Sequence, residues 1–516
     1  MLIKESSLER GLPKETQSLC PECGIIVQAR LFEEDGRVII EKTCPEHGQV
    51  RDVYWSDVEL FLKAERFAYD GVGVENPKIT GASTCPFECG LCDLHLSHTS
   101  LANLDLTNRC NLRCPICFAN ANAAGYVYEP AYEEVVQMMQ VLRDERPVPC
   151  TAIQFSGGEP TIYPRFFDVI SKAKEMGFAQ VQIATNGIKL AEDEDFARRC
   201  AEVGLNTIYL QFDGLREEIY VAARGKPLLE IKRRAIENLR NMEKHPSVVL
   251  VPTIVKGIND DQVGPILRFA IENADVIRGV NFQPVAFTGR IGREEREKQR
   301  YTLTDMVRDV EEQTGYATGD DWYPVPTVAP ISTFVSAILD ENKVTFTPHP
   351  HCGLATYLFT GDKGEVIPLT RFIDVERLFR GLYELSEKTE KSRVKFASKV
   401  KAINLLRSCI IKEELPEGLS LTKFLRMMET VFGDETKEGL AEFSWNMMFV
   451  GGMHFQDNYN YDVERVRRCA IHYVTPDHDI IPFCAYNGGP TYRDRVEKKF
   501  SVPLDEWRKR KGAEDN

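Results

Sequence analysis

Between residues 103 and 284, short β-type runs and helical patterns alternate six times, and this restricts the fold more than any other feature of the chain. The runs are NLDLTN (103–108), TAIQFS (151–156), QVQIAT (180–185), NTIYLQF (206–212), VVLVPTI (248–254) and GVNFQP (279–284). Helical patterns such as 131–143, 164–176, 228–244 and 260–273 lie between them. Strand and helix in regular alternation require parallel strands joined by right-handed crossovers. Six units predict an α/β fold built on a partial (β/α)6 barrel of the TIM type. In such sheets the βα loops converge at the C-terminal ends of the strands, where chemistry collects. The polar loops in that position are a cysteine loop after the first run, SGGEP (156–160), TNG (185–187) and QFDG (211–214).

The 516 residues allow about three domains. Residues 1–70 read as a small metal module, 71–100 as a cysteine-rich bridge, 101–290 as the barrel and 291–516 as a less regular C-terminal region. With 64 basic and 78 acidic residues the net charge is −14, which argues against a nucleic-acid partner because no overall positive field faces the phosphates. The opening MLIKESSLERGLPKETQ lacks the apolar core of a secretory signal, so a cytoplasmic protein with reduced thiols is expected. The best membrane-span candidate, 322–339, contains Pro324, Pro326 and Pro330, which would break a helix. Fifteen cysteines in a reducing compartment suit metal better than disulfides, and nine of them fall in three tight groups.

The sequence LDLTNRCNLRCPICFANA places Cys110, Cys114 and Cys117 at x3, x2 spacing. A closed zinc site or a protein-held cluster normally takes four ligands, so three suggest an open position. A Cys-x3-Cys-x2-Cys loop can hold three irons of a four-iron cluster and leave the fourth to a small molecule. A zinc knuckle or buried free thiols are the plainer alternatives. SGGEP supplies a partner for such a molecule: Gly157 and Gly158 permit close backbone approach, and Glu159 can accept from an ammonium group.

These two motifs make the chain resemble the radical S-adenosylmethionine (SAM) superfamily over roughly residues 100–290. The resemblance implies that Cys110, Cys114 and Cys117 hold a 4Fe-4S cluster, and that Gly157, Gly158 and Glu159 contact the methionyl amine of the cofactor. It further suggests cofactor contacts from Asn186 and Asp213, which as lone polar residues at strand ends could equally be turn-formers.

Further metal constellations surround this centre. Cys20, Cys23, Cys44 and His47 form two knuckles at tetrahedral spacing, either a structural zinc ribbon or a rubredoxin-like iron site. Cys85, Cys89 and Cys92 repeat the x3, x2 spacing, with His95 and His98 just beyond. A second cluster is expected there, its fourth ligand open between His95, a distant cysteine and a substrate atom, with a zinc site using one histidine as the plainer reading. Cys352, Cys469 and Cys484 are dispersed, and composition alone reads them, like Cys150, Cys200 and Cys409, as small buried residues.

The double knuckle, CPFECGLCDLHLSHT, HPHCG, MHFQDNYNYDVERVRRCAIHY and IPFCAYN together resemble the family of archaeal tetraether lipid synthases and their close relatives. That resemblance implies auxiliary four-iron clusters, with Cys352, Cys469 and Cys484 assigned to one of them. It also implies a coupling of phytanyl chain ends of membrane diether lipids and an external electron donor such as ferredoxin or flavodoxin. A basic segment from Arg377 to Lys412, with Phe396, Val400, Ile403 and Ile410 at near-helical spacing, is compatible with a helix on an anionic membrane surface; a solvated helix packed on the core by the same stripe fits equally. Two other functions are expected alternatives: a radical SAM methyltransferase acting on a pterin precursor of methanopterin, and an iron–sulfur electron carrier.

Overall fold

The computed structural model of the chain describes residues 3–361, 364–392, 395–417, 419, 422, 424–425 and 447–514. Near its start, strands β1 (Lys14–Leu19), β2 (Ile26–Glu34), β3 (Arg37–Cys44) and β4 (Gly48–Trp55) pair antiparallel in chain order. Period-two burial builds this sheet: in β2 Val27, Ala29 and Leu31 point inward while Gln28 and Arg30 face water. Its inner face is covered by the rest of the protein. Ala29, Leu31, Val38, Ile40, Tyr54 and Trp55 share one continuous apolar cluster with Leu104, Phe155 and Ile183 of the main sheet.

Buried ion pairs and hydrogen bonds reinforce that junction. Arg300, almost fully buried, bridges Asp52 of β4 and Asp457, each at 2.7 Å. Lys42 of β3 donates to the Asn458 carbonyl at 2.6 Å, and Thr16 of β1 donates to Asp462 at 2.7 Å. Breaking a buried pair on one side leaves an uncompensated charge, so these contacts bind the small sheet firmly to the C-terminal region.

The main sheet contains β5 (Leu101–Thr107), β6 (Ala152–Gly157), β7 (Gln180–Thr185), β8 (Thr207–Gln211), β9 (Ser247–Val251) and β10 (Ile277–Pro284). All six are adjacent in order and parallel, with helices such as Tyr132–Asp144, Phe166–Glu175, Leu229–Arg240 and Val263–Glu272 in the crossovers. The sheet extends beyond these six. Strand β11 (Gly353–Thr360) runs antiparallel to β12 (Met447–Met453), and β12 lies parallel to β10. On the opposite edge β13 (Ile471–Val474) lies parallel to β5 and carries β14 (Ile480–Pro482) antiparallel. The C-terminal region therefore contributes a strand to each flank of the barrel units.

A second apolar cluster joins helices Ala329–Leu339, Val375–Glu390 and Lys395–Cys409. No described helix is long and apolar enough to cross a membrane. The stripe expected on the basic segment is out of phase with the structure. Helix Lys395–Cys409 buries Ser398, Ala402, Leu406 and Cys409, whereas Phe396 is 75% and Val400 43% exposed. Ile410 lies past the helix end and forms a bridge to Ile373. Arg393 of that segment and residues 440–446 of the C-terminal region lie outside the described residues.

Candidate active site

The cysteine loop follows β5, and Cys110, Cys114 and Cys117 are all half-buried there. Together with Gly157, Gly158, Glu159 and Asn186 they line a cavity of about 260 Å³ at the C-terminal ends of the strands. The turn after β6 lies backbone to backbone against this loop: Gly158 donates to the Thr107 carbonyl at 2.6 Å and Glu159 N to the Arg109 carbonyl at 2.9 Å. A Cβ at Gly157 would collide with the Thr107 carbonyl oxygen, and one at Gly158 with that of Arg109. The two glycines are needed first for this close packing of chain on chain.

The scaffold grips the loop by its carbonyls. Arg290 donates to the Cys114 carbonyl at 3.1 Å and to that of Ala121, and its own N–H donates to the Cys117 carbonyl at 3.0 Å. Arg224 donates to the Ile116 carbonyl at 3.0 Å, while Asn122 accepts from Cys110 N at 3.0 Å and donates to the Leu112 carbonyl at 3.0 Å. Neither arginine was singled out by its motif; each is a single basic residue distant in sequence from the loop it holds. Burial pushes the Cys110 thiol up to about 12, with the nearby Glu159 charge adding to the effect. Burial also raises Cys114, against the opposing pull of Arg224. Three soft donors of this kind become thiolates when a metal replaces their protons, so the donor set fits an iron–sulfur cluster.

Glu159 is fully buried and already accepts four hydrogen bonds. One oxygen takes Thr161 N at 3.2 Å, Thr161 Oγ1 at 2.6 Å and Thr185 Oγ1 at 2.7 Å; the other takes Asn186 N at 2.9 Å. Its carboxylate thus ties the glycine turn to the loop after β7, and only its second oxygen keeps room for a further donor. Asn186 donates to Asn111 at 2.6 Å and accepts from Ile188 N at 3.0 Å, bracing the cysteine loop from the same side. Asp213 is fully buried in a bidentate pair with Arg224, at 2.8 and 2.7 Å, and does not line the cavity. Burial alone would raise its carboxyl, but Arg224, together with Lys232 and the Thr253 N–H, outweighs burial and holds it below the ordinary range.

Four donors meet in the N-terminal sheet. Cys20, Cys23, Cys44 and His47 place their ligand atoms within 4.8 Å of one another. Cys23 and Cys44 sulfurs are 3.8 Å apart, and His47 Nδ1 lies 3.5 Å from Cys44 and 3.7 Å from Cys20. A tetrahedral zinc with ordinary bond lengths sets edges of about 3.8 Å between sulfurs and about 3.6 Å between sulfur and nitrogen. The donor set fits that ion.

Four further cysteines, Cys85, Cys89, Cys469 and Cys484, gather around Tyr461. Cys85 and Cys89 pack in one apolar cluster with Tyr461, Cys469 and Cys484. Burial raises Cys89, and Cys85, Cys92 and Cys469 all add to the rise, while Cys469 in turn feels Cys484 and Cys352. Of the choices open for the Cys85 group, a distant cysteine is therefore the neighbour present. His95 is turned elsewhere, toward the Cys469 carbonyl at 2.8 Å and His472 at 3.1 Å, and His98 accepts from Thr345 N at 3.0 Å. Arg465 reaches Cys352 at 3.5 Å, and Cys484 also lines the active-site cavity. Cys150, Cys200 and Cys409 are buried away from these groups.

A family model for the Radical SAM superfamily matches residues 104–270, and one for the HMPTM N-terminal zinc ribbon domain matches residues 12–56. The chain is a radical SAM enzyme of α/β fold with an N-terminal zinc ribbon. It is 48% identical over 510 residues to the 7,8-dihydro-6-hydroxymethylpterin dimethyltransferase of Methanocaldococcus jannaschii, covering 98% of this chain and 99% of that one, and it belongs to the same family. The tungsten-containing aldehyde ferredoxin oxidoreductase cofactor-modifying protein of Pyrococcus furiosus is 29% identical over 33% of this chain and 47% of its own. Among solved structures, Streptococcus suis SuiB bound to its precursor peptide SuiA aligns over 43% of this chain and 46% of that one at 19% identity, with a TM-score of 0.35.

The match over nearly the whole chain overturns the tetraether expectation. The relative is named for transfer to a pterin, so coupling of phytanyl chain ends and a membrane diether lipid partner are both withdrawn. The motifs behind that expectation are metal-binding motifs. They describe how a radical is made and say little about what receives it.

Proposed function

We propose that the chain is a radical SAM methyltransferase acting on a dihydropterin. The observation that carries this reading is the 48% identity, across 98% of the chain, to a pterin dimethyltransferase. A cavity beside the three cysteines favours it over an electron carrier, which needs no room for a substrate.

In this reading Cys110, Cys114 and Cys117 hold the radical cluster. The backbone of Gly157 and Gly158, the second oxygen of Glu159 and Asn186 face the methionyl end of the cofactor. Asp213 acts at one remove by orienting Arg224. When bound, a four-iron cluster held by these three thiolates would supply the electron for reductive cleavage of SAM to methionine and a 5′-deoxyadenosyl radical, with an external donor replenishing it. Arg224 and Arg290 keep the loop carbonyls turned outward, so the sulfurs remain toward the cavity. The Cys85, Cys89 and Cys92 group and the Cys352, Cys469 and Cys484 group hold auxiliary clusters, and Cys20, Cys23, Cys44 and His47 hold zinc in a structural role.

The test is anaerobic incubation of the iron-reconstituted protein with methyl-labelled SAM, a reductant and 7,8-dihydro-6-hydroxymethylpterin, followed by mass spectrometry. The SAM cleaved to the radical keeps its methyl group on methionine, so a methyl mass gain on the pterin is expected, carrying label where a second SAM molecule is the methyl donor. Production of 5′-deoxyadenosine with the pterin unaltered would sink the reading.

A further inference from the structure

The interior of the main sheet carries a row of neutral carboxamides below the cysteine loop. Asn103 of β5, Gln154 of β6 and Gln182 of β7 stand opposite one another in register. Their side chains are linked: Gln182 donates to Gln154 at 2.7 Å, and Gln154 donates to Asn103 at 2.7 Å. The links fix which way each amide points and leave Gln154 with one N–H and one oxygen lone pair to spend.

Asn103 and Gln154 line the same cavity as Cys110, and Tyr209, Gln211 and Gln283 line it from β8 and β10. Gln211 is oriented from both ends, donating to Asp213 at 2.5 Å and accepting from Lys232 at 3.3 Å. The Gln283 side chain has no hydrogen-bond partner among the described residues, although it faces the cavity. Another wall is aromatic: Phe455 stacks on Phe483 with centroids 3.8 Å apart, and Tyr473 lies 5.3 Å from Phe483.

A carboxamide presents a donor and an acceptor side by side, the complement of a lactam edge that alternates acceptor and donor. Aromatic rings complement the flat faces of such a heterocycle. A saturated chain in this place would leave the amides buried and unpaired, and the cations nearest a strongly anionic group, Lys232, Arg224 and Arg290, are already engaged with protein acceptors.

We propose that Gln154, Gln211 and Gln283 read the pyrimidinone edge of a neutral fused-ring lactam and so set the substrate specificity of this site. The proposal rests on the pterin reading above and names the residues that would carry it.

The experiment titrates the iron-reconstituted enzyme with 7,8-dihydro-6-hydroxymethylpterin and, separately, with a 2,4-diaminopteridine of the same shape whose edge lacks the carbonyl. It is repeated on Gln154→Leu, Gln283→Leu and the near-isosteric Gln154→Glu. Iron content and the unfolding midpoint serve as controls for folding. Each leucine variant should bind the pterin about 10- to 100-fold more weakly, with the loss in KM exceeding that in kcat. Its preference for the pterin over the diamino compound should shrink. Leucine variants that bind like the unaltered protein would overturn the assignment of these residues. Failure of the unaltered protein itself to bind the pterin would instead overturn the functional reading.

Discussion

The zinc ribbon and the cysteine loop at the strand ends treat their sulfurs in opposite ways. In the ribbon, burial works against the Cys20 thiolate, but backbone N–H groups of Cys23 and Glu22 outweigh it and hold the thiol below its ordinary range. The four donors lie within 4.8 Å of one another, and the Cys23–Cys44, Cys44–His47 and Cys20–His47 separations already match the edges of a tetrahedron. In the loop, Arg224, Arg290 and Asn122 donate to the carbonyls of Ile116, Cys114 and Leu112, and burial pushes Cys110 up to about 12. One site is closed and preorganised for its ion. The other is anchored by its backbone and leaves its sulfurs facing a cavity, as a site that must share its metal with a small molecule requires.

The sharpest test of that contrast is to remove one thiol from each site. Cys114→Ala should abolish formation of 5′-deoxyadenosine from SAM, because two remaining thiolates cannot hold the cluster, while zinc stays near one per chain. Metal analysis beside a chromatographic assay reads both. Undiminished 5′-deoxyadenosine would mean that the loop is not the radical site.

Cys44→Ser should have the converse effect, loss of zinc with the iron of the loop retained. The expected cost to the ribbon is about 10 kcal/mol, the metal-binding free energy that such a module converts into folding free energy. Calorimetry with and without chelator measures it. An unchanged unfolding transition would mean the ribbon is held by its packing alone.

That packing can be tested separately. Arg300→Met leaves Asp457 in the interior without its guanidinium partner, while Asp52 keeps Arg296, and should cost about 3–5 kcal/mol in urea unfolding. A cost below about 1 kcal/mol would show that the apolar junction dominates.

Six parallel strands were readable because each is a short β-type run between helical patterns, and the observed strands fall within about two residues of the runs at most ends. Strands β12 and β13 were not readable, for a physical reason. MMFVGGM carries two adjacent glycines, which usually argue against a strand interior, yet a Cβ at Gly452 would run into Met306 and one at Gly451 into the Phe449 ring. Phe449 sits two residues from Gly451, but Met306, which makes Gly452 necessary, is distant in sequence.

The cysteines and SGGEP were visible because spacing alone carries chemistry. What Asp213 pairs with, and which arginines hold the loop, depends on elements brought together only by the fold. The polar alternation in NLDLTN, TAIQFS and QVQIAT did contain Asn103, Gln154 and Gln182. Only the register shows that they lie opposite one another.

The smallest expected effect lies between these two regions, at the approach to the third group of cysteines. Asp70 accepts from Arg468 at 2.7 Å, from Ser6 and Ser7 hydroxyls at 2.7 Å and from Ser7 N at 2.8 Å. Burial alone would raise its carboxyl, but these donors outweigh burial and hold it at about 2. A carboxyl depressed on folding contributes stability that is complete above its unfolded pKa near 4 and is lost as pH falls through the folded value. The contribution should therefore be about 2 kcal/mol at neutral pH and should fade between about pH 4 and 2. Asp70→Asn should remove that part of the acid dependence, so the stability gap between variant and unaltered protein should close on acidification. Urea unfolding at a series of pH values measures the gap. A gap that stays constant with pH would assign the cost of the substitution to lost packing around Arg468, the neighbour of Cys469, and not to the charge of Asp70.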